Sequence, residues 1–149
     1  MSIFPARILL ATDGSEHAEL ARATAADVAA GTGSELHLVT VVTGYSFDVR
    51  KPEVLDQLKE QALGILEVQA KEIERDGGRV AQKHLRIAER YRAQQIVRVA
   101  EDIEAGLIVM GSRGLGGVRR ALMGSVSDSV VRHARCPVLI VRHEKERAA

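Results

Sequence analysis

The sequence has few aromatic residues and almost no net charge. Tryptophan is absent, and the four aromatic residues are Phe4, Tyr45, Phe47 and Tyr91. The core must therefore be aliphatic, and a stacking platform for single-stranded nucleic acid is not expected. The 21 basic and 20 acidic side chains leave a formal charge of +1, without the excess of Lys and Arg that DNA-binding domains use for phosphate contacts. These absences predict a protein that binds no nucleic acid.

Cysteine and long apolar runs are also scarce. Cys136 is the single cysteine, which excludes an internal disulfide framework and gives no metal-site spacing. No apolar run approaches the roughly 18 residues of a membrane span. The first twelve residues carry one arginine and run directly into a segment typical of a strand, so no signal peptide is expected. We therefore expect a cytoplasmic protein without membrane insertion.

Short apolar segments alternate with amphipathic segments along the chain. The predicted strands are Arg7–Ala11, Leu36–Val42, Val80–Ala88, Leu107–Met110 and Val138–Val141. The first predicted helix has Ser15 as its cap and ends at Gly31 or Gly33. The second runs from Pro52 to Gly77, and the third covers Ala93–Ala105 with Gly106 as terminator. The fourth covers Ser125–Ala134. This alternation predicts one doubly wound α/β domain, with five parallel strands and helices on both faces. We expect the domain to span residues 1–149 and to end in a charged tail at 143–149.

The segment after the fourth predicted strand is the richest in glycine. Six of the thirteen glycines lie in residues 106–124, and Gly111–Gly124 has little apolar periodicity, which is typical of functional or mobile loops. The segment opens into a helix at Ser125, where unpaired N–H groups and the positive end of the helix dipole attract phosphate. Positive charge nearby comes from Arg113, Arg119 and Arg120. The pattern favours a phosphate-binding loop.

A second interpretation of the same residues needs no ligand. Ser125 and Asp128 have the spacing of a capping box, in which each side chain satisfies the other residue's backbone donor. A flexible surface loop would account for the glycines. The P-loop motif is absent because no Gly-Lys pair occurs, and Arg119 stands where a dinucleotide fingerprint that starts at Gly114 needs its third glycine. The residues alone leave both interpretations open.

The full spacing resembles that of a known family. Gly111-x-x-Gly114-x(9)-Gly124-Ser125 matches the nucleotide motif of the ATP-binding branch of the universal stress protein family. The similarity covers nearly the whole chain and is most specific at residues 8–15 and 107–141. It implies a Rossmann-like fold of the adenine nucleotide alpha hydrolase type. It also implies that ATP, or ADP or AMP, is bound, and that Mg²⁺ accompanies ATP.

The resemblance also implies which residues bind the nucleotide. The implied set is Ala11, Thr12, Asp13, Val41, Met110, Gly111, Ser112, Arg113, Gly114, Gly124, Ser125, Val126 and Ser127. The glycines and Ser125 would hold ribose and phosphates, Asp13 would line the site and is the candidate ligand for Mg²⁺, and Val41 would present its backbone to adenine. Two alternatives stay open: Asp13 as a turn residue bonded to its own backbone, and Val41 as an ordinary strand residue.

The resemblance further implies a homodimer through the last strand, Val138–Val141. An edge strand this apolar would otherwise lack the protection that edges need. We expect a nucleotide-dependent regulatory protein of the stress response, with a protein partner that the sequence does not identify. One alternative is a slow ATPase or a phosphoryl- or adenylyl-transferring enzyme that uses Asp13 to hold Mg²⁺ or orient water. Another is a module that docks on a partner such as a transporter and keeps its nucleotide for stability.

Two turns depart from the family pattern. Ala11 stands where members often carry proline. Arg90-Tyr91-Arg92 replaces the Gly-acidic-Pro turn that is common after the third strand. The sequence leaves the conformation of this third turn open.

Overall fold

Five parallel strands form one sheet, and the first strand in sequence lies at its centre. The computed structural model describes residues 4–15, 17–44, 50–112 and 124–142, with only the backbone of His17. The strands are β1 (Arg7–Ala11), β2 (Glu35–Thr43), β3 (Gln82–Ala88), β4 (Ala105–Gly111) and β5 (Val138–Val141). Their order in the sheet is β3-β2-β1-β4-β5, and each neighbouring pair is parallel.

Four helices cover the two faces of this sheet. They are α1 (His17–Thr32), α2 (Pro52–Arg75), α3 (Arg92–Asp102) and α4 (Ser125–His133). Residues of α1 and α2 pack with Ile8, Leu10 and Val109 on one face. Residues of α3 and α4 pack with Leu9, Ile108 and the other alternate strand residues on the opposite face. The predicted doubly wound α/β fold is confirmed.

Helix α3 ends earlier than the sequence predicts. Its C-cap is Ile103, and Glu104 adopts the left-handed conformation with φ 54°. Gly106 therefore does not end the helix, as expected, but lies inside β4. The side chain of Arg7 in β1 donates a hydrogen bond to the carbonyl oxygen of Ile103 at 3.0 Å. This contact holds the end of the helix beside the sheet, where the chain must turn at once into the strand.

Helix α1 begins differently from its prediction, but it ends directly before Gly33, one of the two glycines predicted to stop it. The chain turns at Gly33, with φ +69°, whereas Gly31 lies within the helix. The side chain of Ser15 does not act as the expected cap, because its Oγ has no hydrogen-bond partner among the described residues. The Ser15 carbonyl instead accepts a bond from the Ala18 N–H at 3.0 Å. Among the described helices, none combines the length and apolar character that crossing a membrane requires.

Candidate functional site

The sheet order reverses between β1 and β4, and this reversal opens a crevice at the carboxyl ends of the two strands. Ala11 lies opposite Met110 at the last paired position of the two strands. Thr12 and Asp13 follow β1, while Ser112 follows β4 and donates its N–H to the Val141 carbonyl at 2.9 Å. The fold thus brings together six of the predicted site residues at one edge. These are Ala11, Thr12, Asp13, Met110, Gly111 and Ser112.

The turn after β1 is fixed by hydrogen bonds on both sides. The Thr12 N–H donates to the Val39 carbonyl at 3.0 Å, and the Thr40 hydroxyl donates to the Thr12 carbonyl at 2.9 Å. Asp13 Oδ1 accepts a bond from the Ser15 N–H at 2.9 Å. The alternative that Asp13 shapes its own turn is therefore confirmed. Because the carboxylate lies half-buried at the mouth of the crevice, this bond also orients it there.

The backbone and the side chain of Val41 face different parts of the structure. Backbone groups of a strand point alternately to its two neighbours, and the Val39 carbonyl points to β1 because it accepts the Thr12 N–H. Val41, two residues later, points the same way. The pairing of β1 with β2 ends at Ala11 and Val39, so the backbone of Val41 faces the crevice beyond the end of β1. Its side chain is 7% exposed and packs in the core below α3.

The start of α4 is fastened to the end of β4. The Ser112 carbonyl accepts two bonds, from the Gly124 N–H at 2.6 Å and from the Ser127 hydroxyl at 2.9 Å. Ser127 is 2% exposed, and its Oγ also lies 3.1 Å from the Gly124 carbonyl. Its side chain therefore positions the helix, while its N–H remains one of the first-turn donors that point out of the helix start. The contact between Ser127 and Ser112 could not be predicted from the sequence, because it depends on the three-dimensional fold.

The predicted capping box is wrong. Gly124 rather than Ser125 is the N-cap of α4, with φ −71° and ψ 166°, and no side chain caps the helix among the described residues. The Asp128 carboxylate pairs with Arg132 at 3.1 Å instead of turning back to the helix start. The bonds to Ser112 begin the helix one residue earlier than the box requires. Among the described residues, no side chain accepts hydrogen bonds from the first-turn N–H groups, an arrangement that suits anion binding.

Several predicted features fall outside the described residues or find no counterpart in them. Arg113 and Gly114 lie outside the described ranges, as do Arg119, Arg120 and the tail at 143–149. Within the described ranges, no group of three or more His, Cys, Asp or Glu residues could hold a metal ion. The predicted Mg²⁺ ligand Asp13 is therefore not part of such a group.

The turn that departs from the family pattern lies close to α4. Tyr91 is the N-cap of α3, with φ −111° and ψ 108°, and Arg92 is the first residue of the helix. Arg90 and Tyr91 line a groove together with Ser125 and Val126 of the first turn of α4. Sequence reasoning left this turn open and did not predict that it would meet the helix start.

Comparisons with known proteins agree with this fold. The sequence profile of the universal stress protein family matches residues 6–142. A putative universal stress protein of Staphylococcus saprophyticus is 33% identical over 144 residues, which are 93% of this chain and 84% of the relative. The solved structure of the hypothetical protein MJ0577 is 29% identical with a TM-score of 0.81, and the match covers 96% of this chain and 99% of that one.

A second similar solved structure contains a nucleotide. It is the universal stress protein from Archaeoglobus fulgidus in complex with dAMP, 27% identical with a TM-score of 0.68 over 90% of this chain and 95% of the other. The doubly wound α/β fold and a family match over nearly the whole chain together define the class of protein. The chain belongs to the universal stress protein family.

Proposed function

We propose that the chain binds ATP in the crevice between β1 and β4, as a member of the ATP-binding branch, and acts as a dimeric nucleotide-dependent regulatory protein. The observation that carries this proposal is the start of α4. No side chain among the described residues caps its first-turn N–H groups, and bonds from Gly124 and Ser127 fasten the helix start to Ser112 at the switch point. The dAMP complex of the Archaeoglobus fulgidus relative supports an adenine nucleotide as ligand.

Each part of the nucleotide has a surface of matching chemistry. The N–H groups of Ser125, Val126 and Ser127 suit the phosphates, and the outward backbone of Val41 suits the edge of adenine. A helix terminus contributes only about 0.3–2 kcal/mol to anion binding, whereas micromolar affinity needs about 8 kcal/mol. Contacts with adenine and ribose along β1, β2 and β4 must therefore supply most of the binding free energy. The loop that contains Arg113 and Gly114 belongs to the proposed phosphate site.

Asp13 is the residue that would hold Mg²⁺ with ATP. Mg²⁺ is usually bound by one or two carboxylates together with substrate phosphates and water. A single oriented carboxylate beside the phosphate site fits that pattern. ATP affinity should therefore rise when Mg²⁺ is present, and this gain should be lost in Asp13→Asn.

Calorimetric titration of nucleotide-free protein with ATP, ADP and AMP, with and without Mg²⁺, tests the nucleotide site. Gly124→Glu should abolish micromolar ATP binding, because it places a negative side chain at the cap of the anion-binding helix. Gly64→Glu is the matched control, since an added Cβ there meets no atom within 4 Å and lies in α2. Equal ATP binding by both variants, or no binding by the parent protein, would contradict the proposal. Unaltered ATP after long incubation is expected and would exclude the slow-ATPase alternative.

The dimer is proposed to form through β5. Leu139 is 37% exposed, and Val138 and Ile140 are half-buried at the edge of the sheet. These apolar side chains lie on an edge strand, whose backbone can pair with another strand. Both features favour pairing with a second copy.

A further inference from the structure

A groove of about 760 Å³ lies between the start of α3 and one side of α4. Small-ligand sites usually have volumes of about 300–1,000 Å³, so this groove is large enough to hold a metabolite. Asp13, Val41 and Ser112 do not line it. Among the described residues, it shares only Ser125 and Val126 with the proposed nucleotide site.

The charge of the groove is strongly one-sided. Arg90, Arg92 and Arg98 line it, and none of them forms an ion pair within the described part of the chain. Glu101 is the acidic residue among the described lining residues, and its carboxylate lies 3.5 Å from Arg135. The arginines in the groove are thus left without carboxylate partners there.

The conformation of the third turn concentrates these arginines. Tyr91 is the N-cap residue of α3, and its side chain makes no capping hydrogen bond. Arg90 therefore precedes the helix, and Arg92 is its first residue. Arg98 lies six residues further along the same helix. Arg92 Nε is buried and has no hydrogen-bond partner among the described residues. A buried polar atom normally has a partner, so the guanidinium of this lining residue keeps an unused donor within the described part of the chain.

The lining also selects the kind of anion. Guanidinium groups bind phosphate through paired N–H donors of fixed geometry. Thr43 and Ser129 add hydroxyl groups, and Val97 adds apolar surface. Tyr91 is 67% exposed beside the arginines, where its ring is available to an organic part of the ligand.

We propose that this groove is a second anion site, which binds a small ligand with at least two linked phosphoryl groups. The site does not depend on the nucleotide in the crevice. Because both sites use the first turn of α4, their ligands would lie on either side of Ser125 and Val126. Occupation of one site would therefore alter the surroundings of the other.

Inorganic pyrophosphate is the probe, because it carries the linked phosphoryl groups without a base or sugar. We expect titration of the ¹⁵N-labelled full chain at physiological salt to shift the amides of residues 92–98 and 129–133. The combined variant Arg90→Gln and Arg98→Gln should weaken pyrophosphate binding about tenfold or more, since it removes two charge-assisted contacts. Both side chains are exposed, so the fold should be retained, and the urea unfolding midpoint verifies this.

Arg79→Gln is the matched control for lost charge. Arg79 is exposed and precedes β3 at the opposite end of the sheet, so this variant should bind pyrophosphate as the parent protein does. ATP titration of the groove variant separates the two proposals, because micromolar ATP binding should persist in it. No binding of pyrophosphate, shifts confined to the crevice residues 12–14 and 110–112, or equal loss in the Arg79 variant would overturn the second site.

Discussion

The two edges of the sheet are built from opposite kinds of residue. Strand β3 has the sequence QKHLRIA, and its Lys83 forms an ion pair with Glu67 of α2 at 2.6 Å. Strand β5 has the sequence VLIV, and Leu139 is 37% exposed. Exposed edge strands are normally protected by charge, because unpaired backbone invites another strand. The β3 edge is therefore suited to water, whereas the β5 edge is suited to a partner.

The interior of the β3 edge has a polar feature that the β5 edge lacks in the described residues. His37 of β2 and His84 of β3 are 5% and 8% exposed. Their rings stack at a centroid distance of 5.4 Å, and His37 Nδ1 lies 3.1 Å from His84 Nε2. One of the two nitrogens donates and the other accepts, and burial disfavours a charge on either ring, so the pair is most stable when both rings are neutral. One edge thus depends on protonation and the other on apolar burial.

The largest expected effect comes from a substitution in the β5 edge. Leu139→Asp should convert the proposed dimer into a monomer and raise the dissociation constant at least about 100-fold, because a carboxylate would have to be buried among apolar side chains. Light scattering after size-exclusion chromatography measures the mass. Gln82→Asp places the same residue on the exposed start of β3 and should leave the mass unchanged. A monomeric parent protein, or an equal effect of both variants, would remove the functional difference between the edges.

The second-largest expected effect is a loss of stability at low pH, caused by the histidine pair beside the β3 edge. Burial lowers the pKa of His37 and of His84 below the usual 6.5. Nearby Arg7 and Arg86 act in the same direction, while Glu35 and Asp102 oppose it. Above pH 6.5 the rings are neutral in folded and unfolded chains, so the full stability is present. As the pH falls from 6.5 through the lowered pKa values, the unfolded chain takes up protons first, and stability is lost.

Urea unfolding between pH 8 and pH 5 measures this loss. The double variant His37→Leu and His84→Leu should show a flatter pH dependence. His84→Leu alone should cost about 1–3 kcal/mol at pH 8, because it leaves the buried Nδ1 of His37 without its partner. His133→Gln on the exposed side of α4 should keep the dependence of the parent protein. A double variant with an unchanged slope would show that the pair does not cause the pH effect.

The sequence predicts the fold well because local signals and topology agree. Apolar runs bounded by glycine and polar turns give the strand order in sequence, and parallel pairing then brings Thr12, Asp13 and Ser112 to one edge. Two of the predictions that are wrong involve contacts between residues far apart in sequence. The bond from Arg7 to Ile103 moves the end of α3, and the bonds to Ser112 move the start of α4. No local pattern contains these contacts.

Some features of the candidate site can likewise be predicted from the sequence, and others cannot. Gly124 is predicted because its spacing resembles a family motif, and Asp13 because residues 8–15 resemble the first strand and turn of the family. The positioning role of Ser127 could not be predicted, since it depends on a carbonyl fifteen residues away. The groove at Arg90 and Arg98 also needed the structure, because only the packing of α3 beside α4 brings these side chains to the helix start. Sequence motifs identify ligand-binding backbone more readily than the side chains that support it.

The smallest expected effect sharpens the comparison of the edges. Lys83→Val, made in the Leu139→Asp background, gives β3 an apolar residue where it now has an exposed ion pair with Glu67. We expect the urea midpoint to stay within experimental error, because exposed ion pairs contribute little to stability. Sedimentation velocity should show weak, concentration-dependent association that the Leu139→Asp protein lacks. Lys59→Val on the exposed surface of α2 controls for added apolar area. If the two valine variants behave alike, charge at Lys83 is not what protects the β3 edge, and the β5 edge is distinguished by its apolar surface alone.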